Sequence, residues 1–222
     1  MTLLIKPVNL PIMNNPAEKS LGLSTGRIEA FSDGVFAVAI TLLILEIKIP
    51  HLEMGESLWH SVLQLWPKFM AYVVSFGVIG IFWMGHHIMF HYIKRSDRVL
   101  LWLNTVLLMF ISAIPFAAGL IGEYRDDPAA VAVYGALLCA TGLIFYITWA
   151  YAAHRHRLIR ANMPADLVSL GHKAVLAAPI IYAIAMVFAF VDPLISKIIY
   201  LLVPIAYLVP SPIDRLVHFR DE

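Results

Sequence analysis

Cysteine is all but missing: Cys139 is the only one in 222 residues, and it sits in an apolar stretch. No disulfide framework can form, and the redox compartment stays open. Charge is scarce as well. Asp, Glu, Lys and Arg make up 14% of the chain against 60% hydrophobic residues, and the mean hydropathy is +0.79. A soluble domain of this size needs far more charge, which excludes that class. With a net charge of +1 and no long basic run, nothing points to nucleic acid as a partner.

Chemistry-bearing motifs are missing too. Ser32, Ser112 and Ser169 have no nucleophile-elbow context, no Gly-rich phosphate loop occurs, and Cys139 lacks an activating neighbour. The chain therefore does not read as an enzyme, and no cofactor is implied. His87 and His91 lie one helical turn apart with His86 beside them, so a metal site is geometrically possible. No Cys or acid completes that spacing, His-Glu-x-x-His is absent, and hydrogen-bonding histidines are the better reading. There is no Thr-Val-Gly-Tyr-Gly type loop, so rings of backbone carbonyls cannot supply ion selectivity. Neither an internal repeat nor a linker long enough for a second domain is visible.

What the chain does have is long apolar runs. Six candidate spans, at 29–49, 66–90, 99–121, 129–153, 168–190 and 193–209, predict an all-α polytopic membrane protein. The sixth is short and contains Pro204; Pro115 and Pro179 sit inside other spans, where neighbours can satisfy the freed carbonyls. Residues 29–210 read as one six-helix transmembrane domain. Residues 1–28 and 211–222 read as cytoplasmic tails, the first lacking the pattern of a signal peptide. Lys94, Arg95 and Arg98 follow span two, Arg155, Arg157 and Arg160 follow span four, and Arg215 and Arg220 follow span six. The alternate loops hold mainly Glu53 and Glu56, then Glu123, Arg125, Asp126 and Asp127, then Asp192 and Lys197. By the excess of Lys and Arg on the inner side, both termini are cytoplasmic. The acidic surface opposite suits collecting cations. His154 and His156, set among arginines, read as contacts to anionic lipid headgroups.

The first span organises the rest. With Arg27 just before it, it carries Glu29, Asp33 and Glu46, although charge inside a membrane helix is costly and marks function by default. On a helical wheel Phe31, Val38, Thr41, Leu42 and Leu45 gather on one face, with Gly34 at its edge. Asp33 lies roughly 140° from Val38 and points elsewhere. One face is an apolar stripe interrupted by a hydroxyl; the other offers an acid expected to be buried and paired. Val38, Leu42 and Leu45 are candidate hydrophobic rings of a pore, Thr41 a hydroxyl ring between them, and Glu46, about 40° from Leu42, an attractor at the outer mouth. Arg27 and Asp33, about 240° apart, are poor partners for each other. Their expected partners are His86, His87 and Asn104 on neighbouring helices, which with Ser32 would make a structural polar network that locks the first helix in place.

Arg27-x-x-x-Phe31-Ser32-Asp33 followed by an apolar run with Thr41 resembles the first-helix signature of the transmembrane protein 175 family, which comprises lysosomal potassium channels and single-repeat prokaryotic relatives. The six-helix layout, the His-rich second helix, and Asp97-Arg98 with Asn104 opening the third are similar more loosely. The resemblance implies passive permeation of monovalent cations, with potassium preferred. It implies a homotetramer around one pore in a prokaryotic inner membrane, the matching first-helix positions as the constriction, and the matching Thr as a contributor to potassium preference. A secondary transporter of cations or protons is the alternative, although its usual paired broken helices and repeats find weak support here.

Overall fold

The computed structural model describes residues 25–50, 52, 55 and 57–207. Both tails, for the most part, and Glu53, Glu56, Arg215 and Arg220 lie outside the described residues. Seven helices follow one another: α1 Thr25–Leu42, α2 Leu58–Gln64, α3 Trp66–Tyr92, α4 Arg98–Glu123, α5 Pro128–Ala153, α6 Ala165–Phe188 and α7 Pro193–Tyr207. The described residues form no strand, and the fold is all-α. Five helices are long and apolar enough to cross a bilayer, counting α1 with its continuation to Glu46. The sixth run, α7, has 15 residues, or about 22 Å at the rise of an α-helix, against a hydrocarbon core of about 30 Å. The short α2 fell inside a stretch expected to be a loop.

Local chemistry sets the boundaries. The Asp97 carboxylate accepts from the Leu100 N–H at 2.9 Å and caps α4. Asp127 accepts from Ala129 and Asp192 from Leu194, each beside a Pro that opens its helix. Pro115 and Pro179 lie within unbroken helices, the latter packed against Gly142, where a side chain would meet the proline ring. α5 is the central element, buried against α4 and α6. A buried tyrosine group joins it to α3 and α7: Tyr134 shares a hydrogen bond with Ser75 at 2.9 Å, and Tyr200 donates to the Val131 carbonyl at 3.1 Å.

The connections alternate between two ends of the bundle. The α4–α5 and α6–α7 connections meet where Lys197 donates to the Arg125 carbonyl and to Asp126. The α3–α4 and α5–α6 connections are joined at the other end by an antiparallel bridge between Ile93 and Ile159. There Asp97 also accepts from Tyr151 at 2.7 Å and pairs with Arg157 at 3.2 Å. Partial burial pushes this carboxyl up, but the bonds from Leu100, Tyr151 and Arg157 outweigh it and hold the group below its ordinary range.

Candidate functional site

α1 lies at the edge of the bundle and is buried along a single stripe: Ile28, Ser32, Phe36 and Ala39, continued by Leu43. These residues recur at three- and four-residue spacing and rest on α3 and α4. The stripe contains none of the candidate pore residues. Val38 is 56% exposed, Leu42 41% and Leu45 67%, and Thr41 is exposed between them. The structure therefore leaves this face open to something outside the subunit. The Thr41 hydroxyl directs its proton back to its own helix, toward the Val38 and Ala37 carbonyls at 2.9 and 3.0 Å. With the proton engaged, the oxygen lone pairs are what Thr41 offers outward, and a cation requires lone pairs.

Past Leu42 the chain winds tighter, into a 3-10 turn at Leu43–Glu46. At about 120° per residue, Leu45 returns to the line of Leu42, and Glu46 falls about 120° from it instead of the 40° of an α-helix. Glu46 is accordingly turned toward α4. Its carboxylate lies against Gly119, where a Cβ would collide with it, in a crevice also lined by Leu43, Ile47, Lys68, Tyr72, Ala118 and Gly122. Lys68 pairs with Glu123 at 2.6 Å beside this crevice.

Two polar groups diverge from adjacent residues of α1. Ser32 is fully buried; its hydroxyl donates to the Ile28 carbonyl at 2.8 Å and accepts from Asn104 Nδ2 at 3.0 Å. Asn104 Oδ1 then accepts from His86 Nε2 at 2.9 Å, which places a proton on that nitrogen. The His86 ring stacks on Phe90 at 4.4 Å and tilts against Phe36. This chain fastens α1, α3 and α4 together.

Asp33 goes the other way, and two expectations are corrected. The acid is exposed in the subunit rather than buried, and its donor is the Trp83 indole N–H at 2.9 Å rather than His86, His87 or Asn104. The reason is rotation: one residue past Ser32, Asp33 is about 100° farther round, beyond the buried stripe. The exposed His87 ring stacks on Trp83 at 6.1 Å, so it supports the donor instead of bonding the acid. Arg27 is exposed at the start of α1 and bonds to none of these groups. Trp83 was the residue sequence reasoning missed; it lies one turn before His87 on the same face of α3, which was the available signal. The three histidines part company, with His86 on Asn104, His87 on Trp83 and His91 3.3 Å from Arg160. Among the described residues no group of three or more His, Cys, Asp or Glu could hold a metal.

A bundle of apolar spanning helices, fastened internally by buried polar bonds yet leaving one face of its first helix open, defines a polytopic α-helical membrane protein. Residues 27–115 match the family described as the endosomal/lysosomal potassium channel TMEM175. The chain is 46% identical over 147 residues to a potassium channel of Streptomyces collinus, covering 64% of this chain and 71% of that one. It is 38% identical over 177 residues to a potassium channel of Chamaesiphon minutus, covering 78% and 87%. The crystal structure of a lysosomal potassium-selective channel TMEM175 homolog from Chamaesiphon minutus superposes with a TM-score of 0.75 at 35% identity, over 83% of this chain and 96% of that chain. The protein belongs to the TMEM175 family.

Proposed function

We propose that this protein is a potassium-preferring channel in which copies of α1 surround a passive pore. One observation carries the reading: α1 is buried on one stripe only, while Val38, Thr41, Leu42 and Leu45 share an open face. One such helix cannot enclose a pore, so the functional unit is a homo-oligomer, a tetramer by kinship with the family. Val38, Leu42 and Leu45 then form apolar rings that constrict and gate by dewetting, and Thr41 supplies a ring of hydroxyl oxygens in place of a carbonyl filter. Ser32, Asn104 and His86 hold α1 to its own subunit; Asp33, Trp83, His87 and Arg27 lie where another subunit would meet it. Glu46, turned onto α4, draws cations to the outer mouth only through its field. The family's description as a potassium channel and the likeness to potassium channels of two bacteria support this reading. The basic end of the bundle faces the cytoplasm, with both termini there, in a prokaryotic inner membrane.

Purified protein in liposomes tests the reading, with a potassium gradient and no second ion or energy source. Potassium flux down the gradient, exceeding sodium flux, is the expected outcome. A strict requirement for a counter-ion would replace the channel with a secondary transporter. The unbroken course of α4 and α6 through their prolines speaks against that alternative.

A further inference from the structure

The end of the bundle that carries the α3–α4 and α5–α6 connections is built with more care than two short loops require. Beyond the Ile93–Ile159 bridge, the Lys94 and Arg95 N–H groups both donate to the Leu158 carbonyl, at 2.8 and 3.3 Å, and the Arg160 N–H donates to the Tyr92 carbonyl at 3.2 Å. In the same connection Arg155 and His156 stand consecutively in the left-handed region, with φ of 51° and 53°. Non-glycine residues hold that conformation only where their surroundings fix it. The fixing groups are visible: the Leu158 N–H on the Ala152 carbonyl at 3.0 Å, His156 on the Met163 carbonyl at 3.1 Å, and the Arg157 guanidinium over the Tyr151 ring at 5.0 Å. The two connections are therefore fastened into one plate, with Lys94 and Arg95 in the first and Arg155 in the second.

The charges on this plate are not there for the fold. Lys94, Arg95, Arg98 and Arg155 are exposed, and among the described residues none is in an ion pair. Asp97, the acid nearest them in the chain, is spent on the α4 N-terminus, Tyr151 and Arg157. Among the described residues, Asp166, exposed in the first turn of α6, and Glu29, near the start of α1, are further acids toward this end. Arg98 opens α4, where a cation opposes the helix dipole, so its charge stabilises nothing locally. One turn farther, Trp102 is 62% exposed, and tryptophan is a residue enriched at membrane–water interfaces.

We propose that this plate is a binding surface for the phosphate headgroup of an anionic phospholipid, held by Lys94, Arg95, Arg98 and Arg155. The lipid is favoured over free phosphate because the plate closes one end of helices long and apolar enough to cross a bilayer, so that acyl chains could follow the exposed side of α4 beyond Trp102. Bound there, a lipid ties both connections together and stabilises the assembled bundle.

The test is thermal melting of the full-length protein in neutral detergent with added phosphatidylglycerol, phosphatidylcholine or inorganic phosphate. Phosphatidylglycerol is expected to raise the melting temperature, and the other two to leave it unchanged. In Lys94→Gln/Arg95→Gln/Arg155→Gln the melting temperature without lipid stays put, and the apparent affinity for phosphatidylglycerol falls about tenfold or more. Should that variant fold poorly, the wild type in about 1 M salt takes its place, since screening must abolish the lipid shift. Arg155→Gly gives an internal control: it relieves the left-handed residue, so the protein melts higher without lipid while responding less to it. An equal shift from inorganic phosphate would overturn the lipid in favour of a free anion. Equal shifts from both lipids, or a full shift in the triple variant or at high salt, would overturn the site.

Discussion

Ser32 and Asp33 are neighbours in the chain and opposites in the fold. Ser32 closes a hydrogen-bonded chain inside the subunit, through Asn104 to His86; Asp33 bonds Trp83 at the surface and keeps further acceptor capacity free. About 100° of helix rotation separates a group that finishes its bonding within one chain from a group that does not. A carboxylate left open in a spanning helix has no water to turn to, so it asks for another protein surface or a wet one. The first polar set is closed within the chain; the second, on the reading proposed above, meets another subunit.

The largest effect should come from breaking the closed set. Asn104→Leu removes both bonds of the amide and leaves His86 without its acceptor, with an expected loss of about 1–3 kcal/mol in subunit stability. Thermal unfolding in detergent measures it, and Ser32→Ala should fall well short of it because Asn104 keeps His86. Breaking the open set should act on association instead. Asp33→Ala is expected to leave the subunit fold standing and shift the size-exclusion profile toward smaller species, while Asp33→Asn retains the Trp83 bond and assembles better. Asp33 makes one bond, to Trp83, where Asn104 makes two, so this loss should be the smaller of the two. If Asp33→Asn assembled normally yet changed ion selectivity, the acid would belong to the pore and the division between the two sets would fail.

The face between them yields functional effects without structural ones. Leu42→Ala or Leu45→Ala should widen an apolar ring and raise potassium current; Thr41→Val should lower the potassium-to-sodium ratio by about fivefold, the equivalent of roughly 1 kcal/mol. Unmoved currents and reversal potentials in well-folded variants would take this face out of the pore. The smallest effect is a control at the solvated end. Because the folded Asp97 carboxyl titrates below its ordinary value, its contribution is full above an unfolded pKa of about 3.9 and is lost as pH falls through the folded value. Asp97→Asn should therefore flatten the acid limb of stability against pH and leave the neutral limb level.

Apolar runs bounded by Asp-Pro and Gly-poor segments made the long helices legible, so each spanning helix starts and ends within a few residues of where its run does. The exposed face of α1 was legible for the same reason: a regular helix turns spacing into direction. Partners were not. A wheel gives the bearing of Asp33 but not which of Trp83, His86 or His87 stands at its height on α3, since that depends on how far one helix is shifted along another. The short α2 has too few residues for a period to show. Glu46 escaped because a helical wheel presumes α-helical rotation, and the chain stops being α-helical at Leu43.

That turn has a mechanical side. Four residues at the 3-10 rise are longer by about 2 Å, and wound by about 80° more, than the same four in an α-helix. Height and twist are thus locked together as in a screw. Whatever rewinds Leu43–Glu46 must at once lower Leu45 toward Leu42 and swing the Glu46 carboxylate out of its notch at Gly119. The height of the Leu45 side chain and the direction of the Glu46 carboxylate are a single coordinate of this protein, not two.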